Sequence, residues 1–378
     1  MNIAFFCEFY PTSKTPFGGS FFHNFAKGLD RIGHSVTVFK FNTLSLSEIK
    51  KLKKIYVIEK EIIDNIEIHT FFIPKVPKLQ IINNLRLLFV AHLYFYFIHN
   101  IKHFDIIHIH FSDMFNSFIG YKISKTYGLP IISTEHSTGF LIENEFNNTV
   151  KKSKKILKSV NAITVVSSVL FDKIKYLTNK PIYLIKNGID ETIFYPEYKK
   201  VLNKRFVSIG FLLKKKNFDG LIRAFSKLII LYPDITLDII GDGEEKPFLI
   251  HLINDLNLSK KVHLLGVYNN NQIANLLRTY DFFVLPSHVE TFGVVVLEAL
   301  FSGLPVLVTR SGGPERFVRD KIDGIICEPN DDSLYYGLIQ LLNNNFYIDI
   351  NYFKENYSIV SVAKDLENIY KKIINNRI

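Results

Sequence analysis

Residues 287–309, SHVETFGVVVLEALFSGLPVLVT, constrain the fold more than any other part of the 378-residue chain. The apolar run 294–300 lies between two glycines, so the spacing predicts a short helix that begins around Phe292 and Gly293 and stops at Gly303. A strand over 305–309 follows, and another over 281–285 precedes the loop. The unit reads strand, loop, helix, strand, with the loop at the carboxyl edge of a parallel sheet, where open α/β sheets bind their ligands. Gly293 leaves the first-turn amides uncovered, and a helix N-terminus attracts anions through its dipole and its unpaired donors. A phosphate suits that position.

Glu290 and Glu298 flank the helix start. Two carboxylates would repel a phosphate, yet they accept hydrogen bonds from hydroxyls on either side of one, such as those of a sugar and a ribose. The bland alternative makes Glu290 a helix cap and Glu298 a solvated helix residue. Against it, Glu298 sits between Leu297 and Ala299 in a helix that is apolar nearly all round, where an unpaired charge is costly.

This segment resembles the glutamate, seven residues, glutamate motif of retaining GT-B glycosyltransferases, family 4 (glycosyl transferases group 1) in particular. The flanking elements match as well: Pro286-Ser287, Phe292-Gly293, Leu297-Glu298-Ala299, Gly303 to Val306 and Gly312-Gly313-Pro314-Glu315. The resemblance implies an α/β fold of GT-B type, two Rossmann-like domains with a cleft between them.

The rest of the sequence is consistent with that architecture. Strand and helix signals alternate throughout, which argues for parallel sheets with crossover helices. Strands are expected over 3–6, 35–41, 66–72, 105–110, 130–134, 162–166 and 182–185, then over 206–210, 236–241, 262–265, 282–285, 306–309 and 325–327. Helices are expected near 20–32, 81–103, 112–127, 150–159, 168–177, 218–231, 246–256 and 272–280. The stretch 187–204, with its NGID turn and lysines, breaks the pattern. The expected division is therefore 1–186 as the acceptor domain, 187–204 as linker, 205–358 as the donor domain, and 359–378 as a helix that by resemblance packs back on the first domain.

Composition excludes several classes. Cys7 and Cys327 cannot build a disulfide framework, and each falls in an apolar context where a reduced thiol is the default, which fits a cytoplasmic protein. The opening MNIAFFCEFY reads as a first strand and not as a signal peptide. The apolar stretch 85–101 is interrupted by Arg86, His92, His99 and Asn100, so it reads as a buried or interfacial helix and not as a span. A net charge of +10 favours anionic partners, and no nucleic-acid motif accompanies it. Peripheral contact of the amino-terminal domain with the inner face of a membrane is expected.

Candidate site residues follow the strand ends. Gly18 and Gly19 precede a helix after the first strand, and glycine lets a backbone approach a phosphate closely; a plain loop is the other reading. By resemblance that loop faces the donor diphosphate and the acceptor. His136 follows another strand, where a histidine can bond a sugar hydroxyl or be a satisfied loop residue. The resemblance assigns it to the transferred sugar, with Glu135 as its neighbour. Residues 210–217, GFLLKKKN, stand where the family has G-R-L and then K-G: Gly210, Leu212 and Lys216 match, Phe211 replaces the arginine and Asn217 the glycine. Lys216, helped by Lys215 or Lys214, then carries the neutralisation of the leaving diphosphate. Tyr268, after Gly266, stands where the family holds the nucleotide base, largely through backbone atoms.

The resemblance implies that Glu290, His136 and Lys216 serve the chemistry. It places Gly18, Gly19, Lys216, Tyr268, Phe292, Gly293, Val294 and Glu298 on the nucleotide-sugar donor. No cofactor and no metal are expected, because His108, His110 and Asp113 form a pattern commoner in buried strands. The implied activity is front-face, retaining transfer of a hexosyl group from a nucleotide diphosphate sugar, UDP in the first place, to a carbohydrate or lipid-linked acceptor of a bacterial capsule or lipopolysaccharide. Two alternatives remain: a nucleotide-sugar 2-epimerase or phosphorylase of the same fold, and a non-catalytic nucleotide-sugar-binding subunit.

Overall fold

The computed structural model describes residues 1–13, 19–45, 57–197 and 204–375. They form two compact units, one of residues 1–188 with 362–378 and the other of residues 189–361.

The first unit is built on an eight-stranded sheet. Its strands are β1 (Asn2–Phe6), β2 (Ser35–Leu44), β3 (Val57–Ile63), β4 (Ile66–Pro74), β5 (Ile106–His110), β6 (Ile131–Glu135), β7 (Ala162–Val165) and β8 (Ile182–Leu184), in the order β3-β4-β2-β1-β5-β6-β7-β8. The apolar runs of β1, β5, β6 and β7 are buried almost throughout, as strands covered on both faces must be. Only β3 is antiparallel to its neighbour. It turns into β4 through Asp64 and Asn65, both at positive φ, the conformation that a tight two-residue hairpin requires. No strand was expected there, because VIEKEII carries an edge strand's charges and half of it faces solvent.

Helices α1 (Ser20–Arg31), α2 (Gln80–Lys102), α3 (Phe115–Tyr127), α4 (Glu143–Leu157) and α5 (Ser168–Ile174) complete the crossovers. The carboxyl-terminal part of the last helix, α12 (Ile359–Asn375), joins this unit's core: Val362, Leu366, Ile369, Tyr370 and Ile373 form one stripe packed with Ile3, Phe5, Val36 and Val38. Its Tyr370 hydroxyl meets His108 Nδ1 at 2.6 Å.

The second unit carries six parallel strands: β9 (Arg205–Ile209), β10 (Thr236–Ile240), β11 (Val262–Gly266), β12 (Phe282–Leu285), β13 (Val306–Thr309) and β14 (Gly324–Cys327). Their order is β11-β10-β9-β12-β13-β14, so the direction of winding reverses between β9 and β12. That reversal is the topological switch point, outside whose carboxyl edge doubly wound sheets bind ligands. The connections are α6 (Phe218–Leu231), α7 (Lys246–Asp255), α8 (Asn270–Leu277), α9 (Val294–Phe301), α10 (Asp331–Asn343) and α11 (Ile350–Tyr357). The last two stand where no element was expected. In α10 the Asn330 side chain caps Ser333 N at 2.9 Å, and Leu334, Leu338 and Leu341 bury the inner face.

Candidate active site

Both loops at the switch point carry candidate residues. After β9 the chain makes a single 3-10 turn over Lys214–Lys216, and Asn217 leaves it at φ 55 and stands just before α6 without a side-chain capping bond. Asparagine tolerates this left-handed conformation nearly as glycine does, which accounts for Asn217 in place of a glycine. Its Nδ2 also donates to the carbonyl of Pro286 at 3.1 Å, and His288 N donates to the carbonyl of Lys215 at 2.8 Å. The two loops are therefore fastened to each other on either side of the point where β9 and β12 part.

That fastening brings Lys216 and Glu290 together. Lys216 Nζ donates to Glu290 Oε1, and Ser287 Oγ reaches the same oxygen at 3.2 Å. Both charged side chains are largely buried. The sequence reading gave Lys216 to a diphosphate and Glu290 to a sugar, groups that adjoin in a nucleotide sugar; the structure places the two residues in direct contact.

Glu290 N donates to the carbonyl of Ser311 at 2.9 Å, which ties its loop to the turn after β13. In that turn the Glu315 carboxylate accepts from Gly312 N at 2.7 Å and Ser311 N at 3.3 Å, so the last residue of the GGPE element shapes the loop. A β-carbon on Gly313 would stand 2.7–2.9 Å from the backbone of Phe292, and one on Gly293 would stand 2.7 Å from Pro314. The two glycine-bearing turns interlock, and Gly293, at φ 85, opens α9 with Val294 as its first residue.

Glu298 lies one turn into α9 and is 3% exposed. Its carboxylate makes no hydrogen bond to the described residues, and burial pushes its pKa from 4.5 up to about 7. A carboxylate so placed lacks the donors that would stabilise its charge. Tyr268 is half-buried just beyond β11. Phe211 is 65% exposed, and nothing in the structure explains its replacement of an arginine.

In the first unit Gly19 opens α1 at φ 70, and any β-carbon there would stand 1.9 Å from the carbonyl oxygen of Phe9, so the loop return requires glycine. Gly18 lies outside the described residues. His136 is packed against the rings of Phe21, Phe22, Phe25 and Phe111, and its Nε2 lies 3.3 Å from His110 Nδ1. Burial drives both histidines far below their usual range, His110 to about 3, so both are neutral, and His136 Nδ1 makes no hydrogen bond to the described residues. Glu135 is enclosed, accepting from Ser133 Oγ at 2.6 Å and Ser112 N at 3.1 Å. That makes it a brace for the loop and not a neighbouring ligand.

Ser287 and Asn217 were not singled out for roles by sequence. Among the described residues no group of three or more His, Cys, Asp or Glu is arranged to hold a metal. A cavity of about 640 Å³, lined by Asp281, Gly303, Pro305 and Phe346 among others, opens at the amino edge of β12 and β13, away from the candidate residues.

Two parallel α/β units, the second with a lysine and two glutamates at its switch point, define a GT-B transferase. Two family models match the chain: Glycosyltransferase Family 4 over residues 18–192 and Glycosyl transferases group 1 over residues 191–357. The chain is 29% identical over 297 residues to an uncharacterized glycosyltransferase of Methanocaldococcus jannaschii, covering 71% of this chain and 75% of the relative. It is 29% identical over 307 residues to a UDP-Gal:alpha-D-GlcNAc-diphosphoundecaprenol alpha-1,3-galactosyltransferase of Escherichia coli, covering 72% and 77%. Its fold matches that of Anabaena HepE, solved in complex with UDP-glucose, with a TM-score of 0.73 at 16% identity over 98% of this chain and 100% of that one. The chain belongs to the family 4 glycosyltransferases of GT-B fold. It is an enzyme that transfers sugars.

Proposed function

We propose that the protein is a retaining glycosyltransferase that moves a hexosyl group from a UDP-sugar to a carbohydrate or lipid-linked acceptor in bacterial surface-glycan assembly, on the cytoplasmic side of the membrane. The observation that carries the donor assignment is Glu298: a buried, unpartnered carboxylate in the first turns of α9. A ribose supplies the two hydroxyl donors it lacks. Glu290 then takes sugar hydroxyls, and Lys216, already bonded to it, faces the adjoining diphosphate. As the bond from the anomeric carbon to the leaving oxygen lengthens, charge grows on the diphosphate, and Lys216 with the amides around Gly293 and Val294 stabilises it. These groups supply the positive charge, so the reading includes neither a metal ion nor a cofactor. Neutral His136 offers a sugar hydroxyl a hydrogen bond without adding charge. No side chain is assigned as a covalent nucleophile; the acceptor hydroxyl attacks the face from which the diphosphate departs and passes its proton to the departing diphosphate oxygen.

The Escherichia coli relative carries UDP-Gal and a diphosphoundecaprenol acceptor in its name, which supports UDP and a lipid-linked acceptor. A thermal-shift panel of nucleotide sugars, followed by NMR of the product anomer, tests the reading, since a ligand of the native state raises the melting temperature. Stabilisation by UDP-sugars and retained configuration are expected. An inverted product overturns the mechanism. Donor binding with neither hydrolysis nor transfer would overturn the reading.

A further inference from the structure

His108 and His110 lie two apart on β5 and so share a face of the first sheet, and His136 follows β6 beside them. All three are buried. His108 has a partner at each ring nitrogen, the Tyr370 hydroxyl 2.6 Å from Nδ1 and the Thr134 hydroxyl 2.5 Å from Nε2. His110 does not. Its ring stacks on His108 with centroids 4.2 Å apart and is hemmed in by Phe5, Phe22 and Phe25. Its Nδ1 meets His136 Nε2 at 3.3 Å, while its Nε2 is enclosed without a hydrogen bond to the described residues. A buried nitrogen lacking a partner costs stability, and an apolar ring would fill the same space without that cost. Packing therefore does not account for His110.

Its contact with His136 does. Burial keeps both rings neutral, so each carries one N–H and one bare nitrogen. An enclosed N–H without an acceptor is rarer than an enclosed acceptor without a donor, so the bare nitrogen of His110 is Nε2. Its Nδ1–H then donates to His136 Nε2, and His136 has to carry its own hydrogen on Nδ1. Nδ1 is the one ring nitrogen of His136 left for a ligand, and in this form it donates. The stack fixes the geometry as well, because His108 is held at both nitrogens and His110 lies flat against it.

We propose that His110 is a positioning residue for sugar transfer, which holds His136 as the Nδ1–H tautomer so that a neutral donor meets an oxygen of the transferred sugar. The role rests on the proposed function, in which His136 takes a sugar hydroxyl; the tautomer does not.

The test joins long-range proton–nitrogen NMR of the full chain, labelled with 15N at histidine, to kinetics with UDP-glucose. The His136 signals are assigned by their loss in His136→Ala. Wild type is expected to carry the His136 hydrogen on Nδ1, and His110→Phe to lose that preference while its melting temperature holds or rises. In the same variant kcat should fall roughly tenfold, the loss of one neutral hydrogen bond, with KM and UDP affinity kept. His110→Asn, whose amide can donate in place of Nδ1–H, should recover most of the rate, and His110→Phe should cost nothing further in a His136→Ala background. Three results would each overturn the proposal: a wild-type His136 protonated at Nε2, an unchanged kcat in His110→Phe, or an equal loss from His110→Phe when His136 is already alanine. The two readings fail separately. A wild type with the Nδ1–H form that neither binds nor turns over UDP-glucose removes the proposed function, and the role of His110 with it, whereas turnover by a wild type with the Nε2–H form removes only the role of His110.

Discussion

Glu298→Gln isolates the electrostatic logic of the site. The carboxyl titrates at 4.5 in an unfolded chain and at about 7 in the folded one, because burial opposes its charge. At about 1.4 kcal/mol per pKa unit, ionising it in the native protein costs about 3 kcal/mol, an upper figure for a protein able to relax. Below its unfolded pKa the group is protonated in both states and costs nothing. Between pH 4.5 and about 7 the unfolded chain gives up the proton while the folded one keeps it, so stability falls across that window and the loss is complete once the folded group ionises. Glutamine never ionises, so the variant should match wild type in acid and exceed it above neutrality by up to about 3 kcal/mol.

Donor binding should show the opposite trend. Ribose hydroxyls donate to the ionised carboxylate and lower its pKa, so wild-type affinity for UDP-glucose should rise from about pH 5.5 to about pH 8, with proton release near neutrality. A hydrogen bond to a charged group contributes about 1.5–3 kcal/mol and one to a neutral group about 1 kcal/mol. The variant should therefore bind ten- to a hundredfold more weakly at about pH 8, with a flat pH profile. Isothermal titration of the intact donor in two buffers of different ionisation heat reads affinity and proton count together; free UDP is avoided because its terminal phosphate titrates in the same range. A variant that keeps the wild-type pH profile, or a wild type that releases no proton, would refute the assignment of Glu298 to the ribose.

Glu290→Gln removes the charge that holds Lys216, whose ammonium then turns more readily to the diphosphate, so UDP binding should hold or tighten while transfer falls roughly ten- to a hundredfold; parallel titrations and initial rates check it, and loss of UDP binding would count against the assignment. Phe211→Arg, at a 65% exposed position, should leave the melting temperature unchanged and tighten donor binding, and a folded variant with weaker binding would show that residue 211 does not border the diphosphate. Asn217→Ala loses both the bond to Pro286 and a residue suited to φ 55, which should cost about 2 kcal/mol in denaturant unfolding and lower donor affinity as the two loops part; an unchanged midpoint would contradict the fastening role.

Period and punctuation made most of the fold legible. Fully buried parallel strands such as IIHIH, the Gly293 to Gly303 helix and the apolar stripe of the final helix all follow local rules. What local rules do not carry is partnership. VIEKEII becomes a strand only because β4 offers it an edge, whereas α10 follows ordinary helix signals, its Asn330 cap and its leucine spacing. In the site, the glutamate spacing pointed to Glu290 and Glu298. Their difference in state, one bonded to a lysine and the other without a donor, depends on a residue 74 positions away and on packing round α9. No window of sequence reports those.

The arrangement of α12 bears on how the chain is made. Val362, Leu366 and Tyr370 belong to the core of the unit that begins at residue 1, and Tyr370 bonds to His108 across 262 positions. During synthesis that core lacks one wall until residues 362–373 have left the ribosome, by which time the intervening unit is already outside. Early strands must wait with Ile3, Phe5 and Val36 uncovered. A copy truncated before Val362 would carry the whole Lys216–Glu290 site yet leave this wall open, to be covered by chaperone or by aggregate.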